Sequence, residues 1–251
     1  MTQLDAPPLT GQTVLITGGA RRLGAAMAQA LHAVGANVVI HHRTSTEDAA
    51  TLARTLNSQR ANSATTVQAD LLDTARLPEL VAGAIRDFGR LDILINNAST
   101  FYATPVGDIT AGQFDDLLGT NLRAPLFLAQ AAAPELRRRQ GLILNMVDIH
   151  GMRPLKQHPT YSSAKAALIM LTKSLARELA PKVRVNGIAP GPVMWPADVD
   201  VAMQAQIIEK TLLKRSGHPE DVAKAAVYFA TMAPYVTGQI LAVDGGRSQA
   251  G

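Results

Sequence analysis

None of the 251 residues is cysteine, which excludes disulfides, iron–sulfur ligation, thiolate zinc sites and a cysteine nucleophile together. Aromatic residues are scarce, at 4% with a single Trp, too few to furnish the stacking platforms of a nucleic-acid groove. Charge is sparse as well: 18% of residues are charged and 47% are hydrophobic. A chain so balanced buries a core rather than staying disordered. The formal net charge is only +4, and the densest basic run, Arg137-Arg138-Arg139, falls at the end of a helix-like segment, where cations complement the helix dipole. A solvated helix end accounts for it without a nucleic-acid partner.

Long hydrophobic runs are missing too. Residues 23–42 carry no Lys, Arg, Asp or Glu, but Gly24, Gln29, His32, Gly35 and Asn37 interrupt them. The periodicity also changes midway, which a membrane-spanning helix does not require. The stretch reads as a buried helix followed by a buried strand. The first ten residues hold Asp5 and two prolines with no basic-then-apolar order, which argues against a secretory signal. The expectation is one cytoplasmic domain over 1–251, with 1–10 a flexible extension and no membrane partner.

What is present is a regular alternation. Thr13 to Thr17 is a short apolar run of the kind a strand covered on both faces shows. Leu23, Met27, Ala30, Leu31 and Val34 then recur at helical spacing, and Gly35 is placed to cap that helix. Further strands are expected at 38–41, 65–69, 91–95, 142–147, 183–188 and 239–243. Helices are expected at 46–60, 75–88, 111–139, 160–180 and 219–232. Such alternation indicates an α/β fold, a single Rossmann-type doubly wound parallel sheet of about seven strands with helices on both faces. Two segments, 99–109 and 190–203, read as long loops after strand ends, where such sheets bind ligands.

Three features carry chemistry. Thr17-Gly18-Gly19-Ala20-Arg21-Arg22-Leu23-Gly24 joins the first strand to the first helix. Glycines there permit a sharp turn and close approach of a pyrophosphate, and the helix N-terminus adds free N–H groups. Gly18 and Gly24 keep the outer spacing, while Arg22 stands where a middle glycine is common. The second strand runs into His42-Arg43-Thr44-Ser45, with no acid until Glu47. An acid at that strand end would bond the ribose diol of NAD; Arg43 instead offers a fork for the 2′-phosphate of NADPH, with Thr44 or Ser45 adding a hydroxyl. Tyr161 and Lys165 are spaced i, i+4, on one helix face. An ammonium beside a phenol favours the phenolate and lowers its pKa from about 10. The histidines (His41-His42, His150, His158) lack helical metal-ligand spacing, so no metal is expected.

With these residues in view, the chain resembles the short-chain dehydrogenase/reductase family over nearly its whole length. The matching pieces are the 17–24 turn, Asp70, Asn96-Asn97-Ala98, Asn121, Tyr161/Lys165, Asn186, Pro190-Gly191 and Asp244-Gly245-Gly246. The resemblance implies Tyr161 as proton donor, Lys165 on the nicotinamide ribose, and Asn121 holding a relay water. It places Asp70-Leu71 beside the adenine, Asn97-Ala98 beside the cofactor ribose, and Leu23 and Pro190-Gly191 among the other cofactor contacts.

One departure narrows the match. The family normally has a serine thirteen positions before the tyrosine, bonded to a substrate carbonyl; here that position is Asp148. An ionised carboxylate only accepts hydrogen bonds, so it suits a substrate with N–H donors that takes up a proton at a ring nitrogen. Asp148, Arg22, His42-Arg43, residues 51–70 and the segment Asn97 to Pro105 together resemble the pteridine reductase branch. That resemblance implies that Phe101 stacks the pterin against the nicotinamide. It has Ser99 and Arg22 contact pterin and cofactor phosphate, and makes Asp148, Tyr161 and Lys165 catalytic. Met194 and Trp195, in the loop from Pro190, match the substrate loop less closely. It further implies NADPH as cofactor, a pterin or folate substrate, and a homotetramer built partly on helices 111–139 and 160–180. The competing readings are a carbonyl-reducing member of the family and a non-catalytic NADPH sensor. At single residues, Phe101 competes with a core aromatic, Asp148 with a structural acid and Trp195 with loop packing.

Overall fold

The computed structural model describes residues 7–195 and 199–250. It opens with β1 (Thr13–Ile16), α1 (Arg22–Ala33), β2 (Asn37–His42), α2 (Thr46–Gln59), β3 (Ala64–Gln68), α3 (Leu77–Phe88) and β4 (Ile93–Asn96). It continues with α4 (Ala111–Leu118), α5 (Ala124–Arg139), β5 (Leu142–Met146), α6 (Pro159–Leu179), β6 (Arg184–Pro190), α7 (Val201–Glu209), α8 (Pro219–Thr231) and β7 (Ile240–Val243). The seven strands form one parallel sheet in the order β3-β2-β1-β4-β5-β6-β7. The chain winds outward from β1 to β3, returns, and winds the other way from β4. Between β1 and β4, therefore, the connections leave in opposite directions and open a crevice beyond the strands' C-terminal ends.

Every residue of β1, β4 and β5 is buried, because helices cover both faces. Strand alternation divides the apolar side chains into two cores. Val14, Ile16, Val38 and Ile40 pack with Met27, Leu31 and Phe229 under α1 and α8. Leu15 and Val39 pack with Leu94, Leu128 and Ile143 under α3 and α5. Fully buried residues such as Met27, Leu31 and Leu94 each contribute about 1.5–3 kcal/mol.

Three segments differ from the sequence expectation. Pro7 to Thr10 is no free extension: Leu9 is buried and its amide donates to the Val34 carbonyl at 2.9 Å; residues 1–6 lie outside the described ones. The helix expected over 111–139 is interrupted by a π-turn at Gly119–Arg123. The cause is Asn121, whose Nδ2 donates to the carbonyl of Leu117 at 2.9 Å and so occupies the acceptor an α-helical amide would use. The loop expected over 190–203 ends early, because Asp200 accepts from the Met203 amide at 2.7 Å and starts α7. In the basic run, Arg138 and Arg139 both pair with the buried Glu135, so a carboxylate of the same helix offsets part of that charge. Among the described residues no helix is long and apolar enough to cross a membrane.

Candidate active site

The crevice holds a cleft of about 370 Å³. One wall is the 17–24 turn. Gly18 has φ +58°, a left-handed conformation that favours glycine. Gly24 is required by close approach: a Cβ there would lie 2.3 Å from the Gly18 carbonyl and 2.7 Å from Asn97 Nδ2. α1 begins with no side-chain cap and no acid in its first turn, so its amide end faces the cleft without a competing anion. The opposite wall is the start of the loop after β4. Thr17 Oγ1 accepts from the amides of Asn97 (2.9 Å) and Ala98 (3.0 Å). Asn97 Nδ2 in turn donates to the carbonyls of Thr17 (2.8 Å) and Gly18 (3.0 Å).

Of the expected cofactor residues, Gly18, Arg22, Leu23, Gly24 and Arg43 line this cleft, and so do Asp70, Leu71, Asn97, Ala98 and Ser99. His42, Thr44, Pro190 and Gly191 lie outside its lining. His42 shares the strand face of Ile40, is buried, and leaves Nδ1 without a partner among the described residues. Its neighbour His41 faces the cleft instead. Sequence reasoning also missed Arg21, Thr100 and Thr120, which line it too. Arg21 is joined to Asp48 on α2.

The second group of residues gathers around Tyr161 on α6. Its side chain is 4% exposed, and its hydroxyl donates to Asp148 Oδ2 at 2.7 Å. Asp148 follows β5 and is fixed by a second bond, its Oδ1 accepting from the His150 amide at 2.8 Å. Lys165, one turn along α6, is 2% exposed and donates to the Met146 carbonyl at 2.9 Å. Its Nζ lies 5.7 Å from the centre of the Tyr161 ring. Asn121, completely buried in the π-turn, accepts from Ser99 Oγ at 2.6 Å and donates to the Thr100 carbonyl at 2.9 Å. The nucleotide cleft and the Tyr161 group therefore meet at Ser99.

The electrostatics differ from the simple pairing of phenol and ammonium. Burial, then the Asp148 charge and its hydrogen bond, hold the Tyr161 phenol well above its usual value of 10, with Ser99 acting weakly the other way. Burial lowers Lys165 to about 8, against the pull of Asp148. The expectation that Lys165 would make Tyr161 more acidic is thus corrected: the carboxylate touches the hydroxyl, whereas the ammonium addresses a main-chain carbonyl. Tyr161 keeps its proton through neutral pH.

Phe101 is 43% exposed, so it is no core aromatic. It stands edge-on to Tyr161 with ring centres 4.8 Å apart and stacks on His158 at 4.7 Å and 12°. His158 is another residue that sequence reasoning missed; Pro159 opening α6 right after it was the available signal. Met194 packs partly against the core under α1 and α8, and Trp195 is half-buried; neither lines the cleft. The rest of that loop, 196–198, lies outside the described residues.

Similarity to known proteins agrees with this geometry. Residues 18–248 match the family described as enoyl-(acyl carrier protein) reductase. Pteridine reductase 1 of Leishmania tarentolae is 38% identical, over 95% of this chain and 97% of its own. That alignment spans 280 positions, more than this chain has, so the relative carries insertions without a counterpart here. A 3beta-hydroxysteroid dehydrogenase of Eggerthella lenta is 35% identical over 96% and 95% of the two chains. A 3-oxoacyl-(acyl-carrier-protein) reductase of Staphylococcus aureus is 31% identical over 94% and 97%. The glycine turn at the switch point, the Tyr161/Lys165 pair and these full-length matches make the protein an oxidoreductase of the short-chain dehydrogenase/reductase family, which works with a nicotinamide cofactor.

Proposed function

We propose that this protein is an NADPH-dependent pteridine reductase that converts the pterin ring of a dihydropterin or dihydrofolate to the tetrahydro form. The observation that carries the reading is the bond from Tyr161 to Asp148, at the position where the family normally has a serine for a carbonyl oxygen. The relationship to pteridine reductase 1 supports it. The hydroxysteroid dehydrogenase and oxoacyl reductase relatives favour carbonyl reduction as the second reading.

The cleft fits a dinucleotide. Gly18 and Gly24 let the turn close against Asn97-Ala98 beside the cleft, α1 offers uncapped amides, and Arg22 and Arg43 line the cleft as cations for phosphate. Arg22 and Arg43 would hold phosphate, Asp70-Leu71 the adenine and Asn97-Ala98 the ribose. Bound there, the nicotinamide supplies a hydride to a ring carbon of the substrate. Phe101 presents a half-exposed ring as a platform for the pterin. Asp148 accepts from the pterin's N–H edge with lone pairs not used by His150 and Tyr161. Tyr161 keeps its proton at neutral pH and passes it, through Asp148 or a water held near Asn121, to the ring nitrogen beside the reduced carbon. Lys165 holds the end of β5 through the Met146 carbonyl and would bind the nicotinamide ribose. The reading includes a cytoplasmic homotetramer, for which Phe114 and Phe127 on α4 and α5 and Met170 on α6 are exposed apolar surface.

The test is Asp148→Ser assayed side by side with a dihydropterin and a simple ketone. Pterin turnover should fall at least about 100-fold, the usual scale for a general acid–base group, with NADPH affinity nearly unchanged. Unchanged pterin reduction would replace this reading with the carbonyl reductase.

A further inference from the structure

One buried histidine of the cleft has no part in the chemistry above. His41 is 2% exposed and sits at the C-terminal end of β2, on the strand face of Val39. Its Nδ1 lies 3.1 Å from the Gly18 amide, and its Nε2 lies 3.1 Å from the Ala69 carbonyl just after β3. Both partners have fixed roles. An amide N–H only donates, so Nδ1 is the bare acceptor; a carbonyl only accepts, so Nε2 carries the hydrogen. The tautomer is thus dictated by the backbone. A second bond ties the same residue to the same turn: the Gly19 amide donates to the His41 carbonyl at 2.9 Å. Gly18 and Gly19 therefore both turn their amides toward His41 at the end of β2.

We propose that His41 is a positioning residue for the dinucleotide: its imidazole, fixed as the Nε2–H tautomer, braces β3 against the Gly18-Gly19 turn and sets where the uncapped amides of α1 stand. The proposal rests on reading the cleft as a nicotinamide dinucleotide site. Burial, with a smaller push from His42, holds His41 down at about 4 despite the opposing Ala69 carbonyl and Asp70. The ring stays neutral across physiological pH, as an acceptor for Gly18 requires. A protonated ring would set Nδ1–H against the Gly18 N–H, donor to donor.

Two substitutions separate this role from simple packing. Asn places an oxygen near the position of Nδ1 and can still accept from Gly18, whereas Leu, of similar size, cannot. NADPH binding to the cofactor-free protein is followed by its fluorescence. His41→Leu should raise the dissociation constant about tenfold, the scale of one hydrogen bond lost to a buried amide. His41→Asn should recover most of that loss, and kcat at saturating NADPH should hold in both. Nitrogen-15 NMR of the cofactor-free parent protein, whose result does not depend on either variant folding, should show a bare Nδ1 and a protonated Nε2. An Nδ1–H tautomer, or equal NADPH affinity in the Leu, Asn and parent proteins, overturns the proposal while leaving the proposed function standing. A parent protein that binds neither NADPH nor NADH overturns both.

Discussion

Lys165→Met tests the electrostatics of the Tyr161 group through stability. The parent protein carries a lysine that is 2% exposed and lowered by burial from its usual 10.5 to about 8. The unfolded chain keeps that lysine charged up to about 10.5. Between these two values the unfolded state binds the additional proton, so unfolding free energy rises with pH. Below about 8 the folded protein bears the full penalty of a buried ammonium. From pH 8 to pH 10 the gain is about 2 kcal/mol, because the full slope of about 1.4 kcal/mol per unit is reached only above the folded value. The window ends at 10, because Tyr161 is held above that value and contributes the opposite slope beyond it. Methionine has a similar shape and does not titrate. Its absolute effect mixes relief of the buried charge with loss of a donor to the Met146 carbonyl, worth about 1–3 kcal/mol, so the pH dependence isolates the titration. Urea unfolding of both proteins at half-unit steps from pH 7 to 10 should show the parent gaining about 2–3 kcal/mol on the variant. Parallel curves would refute the reasoning and mean that Lys165 has an ordinary pKa in the folded state.

Arg43→Asp should weaken or invert a preference for NADPH over NADH, because a carboxylate repels the 2′-phosphate and bonds a ribose diol instead; kcat/KM ratios for the two cofactors decide it. Phe101→Ala should weaken pterin binding by about 1–3 kcal/mol and leave NADPH binding intact, as its 43% exposure requires; a parallel loss of both affinities in titration calorimetry would contradict the platform role. Gly24→Ala should cost both cofactor affinity and thermal stability, because the new methyl would stand 2.3 Å from the Gly18 carbonyl; a crystal structure of the variant with an unmoved 17–24 turn would count against it.

Much of this was legible in the chain. The strands of the sheet and the glycine turn announce themselves through continuous apolar runs and through glycines where backbone approaches backbone. The limits have particular causes. β2 is buried on both faces, so Val38 to His42 carries no alternation, and nothing in the sequence says which histidine meets the cleft; only the pairing of β2 between β1 and β3 decides for His41. The π-turn depends on a side chain returning to Leu117, which no periodicity reports. α7 buries none of its residues, so it lacks an apolar stripe, and Asp200 as its cap was the one signal available. The raised phenol of Tyr161 comes first from its burial and then from Asp148 touching its hydroxyl, three-dimensional facts that the i, i+4 spacing conceals.

The four bonds between the Thr17 turn and Asn97-Ala98 have a mechanical consequence. They cross-tie the loops that follow β1 and β4, adding to the ladder that already joins those two strands, so the floor of the crevice is one braced unit. Arg43, Ser99 and Thr100 line the same cleft from outside that bracing. A substitution at Thr17 or Asn97 therefore disturbs both walls of the cleft together, whereas one at Arg43 changes a single contact of the bound molecule.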